Sequence, residues 1–305
     1  MLRGDFAQAW SISDRVLRER LAREESCRHW PRHLQFIWRG TSLRNRRVLV
    51  RCYHGLGDTI QFIRLLAQLH DHARHTIVWA QPALLELLQS ASGIDVILPL
   101  HDGAPGCAYD VDIELMELLH YFRLTTQTIP KRVPYLLESL PRRRLEPLDA
   151  LHVGLAWNSG TWNPDRSLDP DAGALLRSVC GVRWYSLQYQ SPDPPVPAVS
   201  LVDADIAITA KRMLALDLVL SVDTYTAHLA GALALPVWTL LPYDCDWRWM
   251  SNGECSPWYP TMRLFRQPRP GDWPSVVRTV CHLLAGGWTP EAEPRHSRAQ
   301  VAPPA

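Results

Sequence analysis

Val48-Leu49-Val50-Arg51-Cys52-Tyr53-His54-Gly55-Leu56-Gly57-Asp58-Thr59 decides the fold. An apolar run of strand length enters a polar turn with two glycines, and a helical pattern opens after it. Over 59–72 the apolar positions Ile60, Ile63, Leu66, Ala67 and Leu69 fall on one face, as a helix packed on a sheet requires. A strand, a tight turn and a helix make the first half of a βαβ unit, which implies a parallel sheet. Outward from there the alternation continues, with strands at 76–80, 95–98 and 109–113 and a helix at 83–89. A second series follows, with strands at 151–157, 182–187, 218–222, 237–241 and 262–265. Its helices fit 171–179, 206–215, 224–234 and 273–284. The expected fold class is therefore α/β, two Rossmann-like domains with parallel sheets facing a central cleft.

Length agrees with two domains, since 305 residues exceed the usual size of one. Residues 139–149 carry two prolines and the run Arg142-Arg143-Arg144, which reads as an interdomain linker or a solvated loop. The expected organisation is a helical segment over 1–45, one Rossmann-like domain over 46–140, a second over 141–285 and a disordered tail over 286–305. In the first segment Phe6, Trp10, Val16, Leu17 and Leu21 recur at helical spacing, and 1–40 reads as helical.

Composition excludes several classes. The 32 Lys+Arg against 31 Asp+Glu leave a net charge of +1, without the basic excess of a general nucleic-acid binder. No apolar run reaches the length of a membrane span, although Arg142–Arg144 leaves peripheral membrane contact open. The first residues lack the apolar stretch of a signal peptide. Seven scattered cysteines, with no CxxC, favour a reducing cytoplasm over a disulfide or zinc framework. The 13 tryptophans against five phenylalanines are an unusual aromatic balance. Trp10, Trp30 and Trp38 would dock the first segment, while Trp247, Trp249, Trp258 and Trp273 cluster late.

Four stretches carry chemistry. In His54-Gly55-Leu56-Gly57-Asp58-Thr59, Gly55 and Gly57 permit a tight turn and close approach of a ligand. Asp58 reads either as the N-cap of the following helix or as a general base. In Ser221-Val222-Asp223-Thr224-Tyr225-Thr226-Ala227-His228, a strand ends at the start of a small-residue helix. The amides around Thr224, Tyr225, Thr226 and Ala227 would suit a diphosphate. His228 could instead be a buried helix histidine, and Asp223 a cap, a loop-orienting group or a hydroxyl ligand. In Trp157-Asn158-Ser159-Gly160-Thr161-Trp162-Asn163-Pro164-Asp165-Arg166, Arg166 could neutralise a leaving phosphate or pair with a nearby aspartate. Asn158 could bind phosphate or sugar, or simply shape the turn. Finally, Asp246-Trp247-Arg248-Trp249 and Ser256-Pro257-Trp258-Tyr259-Pro260 offer aromatic faces beside polar groups. These suit a sugar or nucleobase, or a tryptophan-rich interdomain contact.

Together with Gly154-Leu155-Ala156-Trp157, Asp165-Arg166-Ser167, Leu264-Phe265-Arg266-Gln267-Pro268 and Gly271-Asp272-Trp273, these stretches form an ordered set. The set resembles the bacterial glycosyltransferase domain that follows tetratricopeptide repeats, a GT-B domain related to the family 9 heptosyltransferases. The resemblance covers about 46–285, and Gly4-Asp5-Phe6-Ala7-Gln8-Ala9-Trp10 resembles the end of a last repeat. It implies inverting, metal-independent transfer from a nucleotide-diphosphate sugar to a hydroxyl acceptor, with no cofactor. The acceptor could be a glycan, a lipopolysaccharide core or a protein such as flagellin. It further implies Asp58 as base, with the diphosphate held by Thr224, Tyr225, Thr226, Ala227, His228 and Arg166. Gln188 would lie near the nucleoside, and Gly55, Gly57, Asn158, Asp223 and Trp247 would add donor or acceptor contacts. Two alternatives keep the fold: a non-catalytic nucleotide-sugar-binding or scaffolding subunit, and an epimerase acting on the free nucleotide sugar.

Overall fold

The computed structural model describes residues 1–290 except 24, 25, 28, 143, 144, 147–149, 162 and 190–192. The expected tail beyond 290, Trp162 and part of the expected linker lie outside the described residues.

The chain opens with α1 (Phe6–Ala22), capped by Asp5, which accepts the Gln8 N–H at 2.9 Å. Phe6 and Trp10 are its buried residues. Trp10 Nε1 donates to the Leu124 carbonyl at 2.8 Å, and Asp14 holds Arg123 and His120. The helical expectation over 1–40 stops at this helix. Between residues 30 and 40 the only helical turn is a 3₁₀ turn at Arg32–Leu34. Pro31 cannot continue a helix, and the N–H groups of Ile37 and Trp38 are taken by the Glu117 carboxylate.

The first sheet contains β1 (Arg47–Arg51), β2 (His75–Ala80), β3 (Val96–Pro99) and β4 (Val111–Glu114), in the order β3-β2-β1-β4, all parallel. Between β1 and β2 run α2 (Leu56–Phe62) and α3 (Leu65–His70). The single helix expected over 59–72 is thus two, starting three residues earlier. The break falls at Arg64, whose guanidinium turns inward to the carbonyls of Pro130 and Trp258 and to the Tyr135 hydroxyl. A 3₁₀ turn and α4 (Leu85–Leu88) precede β3, and α5 (Glu117–Tyr121) follows β4.

The second sheet contains β5 (Leu151–Ala156), β6 (Val182–Ser186), β7 (Val199–Ser200), β8 (Leu218–Val222), β9 (Val237–Leu241) and β10 (Met262–Arg266). Its order is β10-β9-β8-β5-β6-β7, again all parallel. Its helices are α6 (Pro170–Ala174), α7 (Ile206–Met213), α8 (Tyr225–Ala232) and α9 (Trp273–Ala285). The central strands β8 and β9 are buried along their length, which explains their unbroken apolar runs.

Both sheets reverse their strand order once, at β1/β4 and at β5/β8. Open parallel sheets bind ligands beyond the carboxyl ends of the strands at such points. The loops that leave β1, β5 and β8 are therefore the candidate site. They meet because α2 packs on α8. Gly57 makes this approach close, since a Cβ there would stand 3.0 Å from His228 Cδ2 and 3.3 Å from Tyr225 Cα. A side chain at Gly231 would overlap the Tyr259 ring. One buried apolar cluster joins Val48, Ile60 and Phe62 to Leu229, Ala230 and Tyr259, while a second lies around Trp184, Trp238 and Val277.

Candidate functional site

The loop after β1 enters α2 through Gly55, which is extended at φ −68° and ψ 165°. Asp58 is not the residue that caps a helix beginning at 59, because the helix begins at Leu56. The carboxylate instead reaches back from the first turn, and the Gly55 N–H donates to its Oδ2 at 2.9 Å. Its other oxygen, Oδ1, receives Arg248 Nη2 at 2.9 Å.

Arg248 lies on a 3₁₀ turn at Trp247–Trp249, and Asp246 caps that turn. Its guanidinium bridges two carboxylates, since Nε also donates to Asp246 Oδ1 at 2.9 Å. The residue is only 9% exposed. The ion pair therefore sits where water screens it little. The sequence placed Arg248 in an aromatic stretch but gave it no role. Its partner is 190 positions away along the chain.

At the carboxyl end of β8, Thr224 caps α8: its Oγ1 accepts the Thr226 N–H at 3.3 Å. The first amides of α8 are thus presented at a helix amino end, with Tyr225 half-buried and Thr226 and Ala227 buried behind it. Asp223 does not cap. It is 2% exposed, and its Oδ2 accepts Arg166 Nη1 at 3.2 Å. Arg166 Nε is buried with no hydrogen-bond partner among the described residues.

His228 faces inward rather than towards solvent. It is 2% exposed, stacks on Trp249 at 5.2 Å, and its Nδ1 meets the Tyr259 hydroxyl at 3.0 Å. Burial, followed by the positive charge of Arg248, Arg64 and Arg166, pushes its pKa well below the usual histidine range. The ring is neutral at neutral pH. Its Nε2 stands 4.0 Å from Asp223 Oδ1. Of the late tryptophans, Trp249 and Trp258 are fully buried, the latter edge-on to Phe62. Trp247 is half-buried and lines a cavity of about 380 Å³ with Trp10, Trp38 and Glu117.

In the loop after β5, Asn158 Oδ1 accepts the Gly160 N–H at 2.6 Å, so this side chain shapes the turn. Gln188, just past β6, accepts the N–H groups of Trp157 and Asn158 through Oε1, at 3.1 and 2.9 Å. It ties the ends of two neighbouring strands together.

Beside Asp58, at the end of β4, lies a feature that the sequence did not single out. Glu114 is 2% exposed and pushed up to about 8 by burial, against the N–H groups of Met116 and Tyr53 that bond its charged form. Glu117 is likewise raised to about 7 by burial. Each of these acids takes up its proton more readily in the folded chain than the ~4.3 of an unfolded glutamate. Their contribution to stability is therefore complete below the unfolded value and is lost as pH rises through 7 and 8. Urea midpoints should fall between pH 5 and pH 9, and Glu114→Gln should flatten that fall. An equally steep fall in the variant would show that Glu114 does not titrate there.

No family model matches the chain. It is 25% identical over 285 residues to the protein FlbA of Caulobacter vibrioides, covering 81% of this chain and 48% of that protein. The chain thus spans about half the length of the curated relative it matches. Among solved structures it is similar to the E. coli heptosyltransferase WaaC with ADP, at 15% identity and TM-score 0.50. That match covers 79% of this chain and 98% of the other. It is also similar to the dodecameric, iron-containing E. coli heptosyltransferase TibC in complex with ADP-D-beta-D-heptose, at 13% identity and TM-score 0.52. There the match covers 81% of this chain and 76% of the other. At these identities the likeness establishes the fold: this α/β chain has the fold of the heptosyltransferases. Among the described residues no helix is long and apolar enough to cross a membrane. Nor does any group of three or more His, Cys, Asp or Glu among them stand close enough to hold a metal ion.

Proposed function

We propose that the protein is a GT-B glycosyltransferase that moves a sugar from a nucleotide-diphosphate sugar to a hydroxyl acceptor, inverting the anomeric centre without a metal. One observation carries this reading. Asp58, Arg248, Asp223, Arg166 and the amino end of α8 converge at the strand-order reversals of two parallel sheets.

The donor diphosphate lies at the amino end of α8, against the positive end of the helix dipole. Arg166, held through Nη1 by Asp223, offsets the charge that develops on the leaving phosphate. The acceptor oxygen attacks the anomeric carbon as the bond to the diphosphate breaks, and Asp58 takes the hydroxyl proton. His228 is neutral and buried, and it supports α8 from behind through Tyr259. Gln188 and Asn158 fix the loop that carries Arg166. The first sheet serves the acceptor and the second the donor, and the reaction runs in the cytoplasm.

A thermal-shift screen of ADP, GDP, UDP and their sugars tests the reading. WaaC and TibC were solved with adenosine diphosphate ligands, so a selective rise with the adenosine series is expected, followed by release of ADP from the donor when an acceptor is supplied. No shift with any nucleotide would overturn the reading. A donor that binds but is never cleaved would favour a non-catalytic nucleotide-sugar-binding subunit.

A further inference from the structure

His54 lies between the end of β1 and the carboxylate of Asp58, on the acceptor side of the proposed reaction. Its backbone is fixed, because Gln81 Nε2 donates to the His54 carbonyl at 2.7 Å and Thr59 Oγ1 in turn donates to Gln81 Oε1 at 3.0 Å. Its ring has a buried carboxyl for a neighbour. Nε2 stands 3.6 Å from Glu114 Oε2 on the adjacent strand β4. Glu114 cannot swing away, since its oxygens accept the N–H groups of Met116 at 2.7 Å and Tyr53 at 3.4 Å. The His54 side chain keeps 28% exposure while its partner keeps 2%. The arrangement is a partly exposed imidazole beside a buried carboxyl. The other titratable or charged groups facing the ring are Asp58, His33 and Arg248.

We propose that His54, oriented by Glu114, recognises the acceptor: its outer ring nitrogen hydrogen-bonds a second hydroxyl of an uncharged sugar whose first hydroxyl reacts at Asp58. The proposal rests on the glycosyl-transfer reading above and gives its acceptor a chemical class. Two separate polar groups, His54 and Asp58, flank one turn. A sugar with neighbouring hydroxyls engages both, whereas a serine or threonine side chain has one hydroxyl and engages one. An anionic acceptor is disfavoured. Burial holds the His54 ring towards its neutral form, and the carboxylate of Asp58 stands in the same turn. Glu114 acts as a positioning residue, since its carboxyl reaches the acceptor only through the imidazole.

The test uses the full chain with the donor identified by thermal shift. The acceptor probes are methyl glycosides, their phosphorylated counterparts and a threonine-containing peptide. Wild-type protein is expected to prefer an unphosphorylated glycoside. His54→Ala should raise the KM for that glycoside about tenfold or more, the scale of one lost hydrogen bond to a buried partner, while the donor KM holds. His54→Gln, which keeps a hydrogen-bonding amide, should recover part of the loss, and Glu114→Gln should raise the acceptor KM less than His54→Ala. Circular dichroism and melting confirm that each variant is folded, and His54→Gln serves if His54→Ala is not. The proposal is overturned if both His54 variants keep the wild-type acceptor KM, if the donor KM rises instead, or if the peptide or a phosphorylated glycoside is preferred. Wild-type protein that turns over no donor would overturn the transfer reading, and this inference with it. Turnover with an unmoved acceptor KM overturns the inference alone.

Discussion

Asp58→Asn should leave nucleotide-diphosphate binding in place and lower sugar transfer by about 10²-fold or more, the usual loss when a general base is removed. The substitution keeps the size of the side chain but supplies one oxygen where the native residue uses two. In the protein those two oxygens accept the Gly55 N–H and Arg248. An asparagine can satisfy one of these donors, and its amide cannot take a hydroxyl proton. Initial rates on the identified donor, with nucleotide affinity measured by thermal shift on the same sample, separate chemistry from binding. Transfer near the wild-type rate would remove Asp58 from the reaction.

Arg248→Met should destabilise the fold by about 3 kcal/mol, the lower end of the cost of breaking a buried ion pair from one side. The reason is asymmetric. Methionine fills much of the same space, but Asp58 and Asp246 both lose the guanidinium that bridges them. The lower end applies because both carboxylates keep some contact with solvent, with side-chain exposures of 19% and 32%. Arg248→Lys should recover little, because an ammonium lacks the planar fork that serves two carboxylates at once. Urea unfolding of the three proteins measures the differences. A change near zero would place the bridge among the weakly contributing surface pairs.

Much of the fold was legible in the sequence. The strands at β1, β2, β5, β8 and β9 are apolar runs closed by polar or glycine-bearing turns, and a strand buried on both faces needs that composition. Helix limits were less legible. Residues 59–72 have one continuous helical period, yet Arg64 divides them, because its guanidinium finds carbonyls at Pro130 and Trp258 far along the chain. Residues 30–40 carry aromatic residues that suit a helix, but the amides of Ile37 and Trp38 are captured by Glu117. Local periodicity cannot register a partner that distant folding supplies.

The candidate site divides in the same way. The strand-to-helix turns at Asp58, Arg166 and Thr224 stand out in one dimension, because turns with glycine, asparagine and aspartate have local causes. Asn158 and Thr224 fulfil local roles, a turn and a cap, that short-range hydrogen bonding dictates. The tertiary structure alone decided that Arg248 meets Asp58, that Glu114 stands behind His54, and that His228 lies buried between Trp249 and Tyr259. Burial period and turn chemistry act over a few residues and are written in the local sequence. Charge pairing and desolvation depend on which side chains the packed sheets bring within a few ångströms, and the order of residues along the chain does not record those distances.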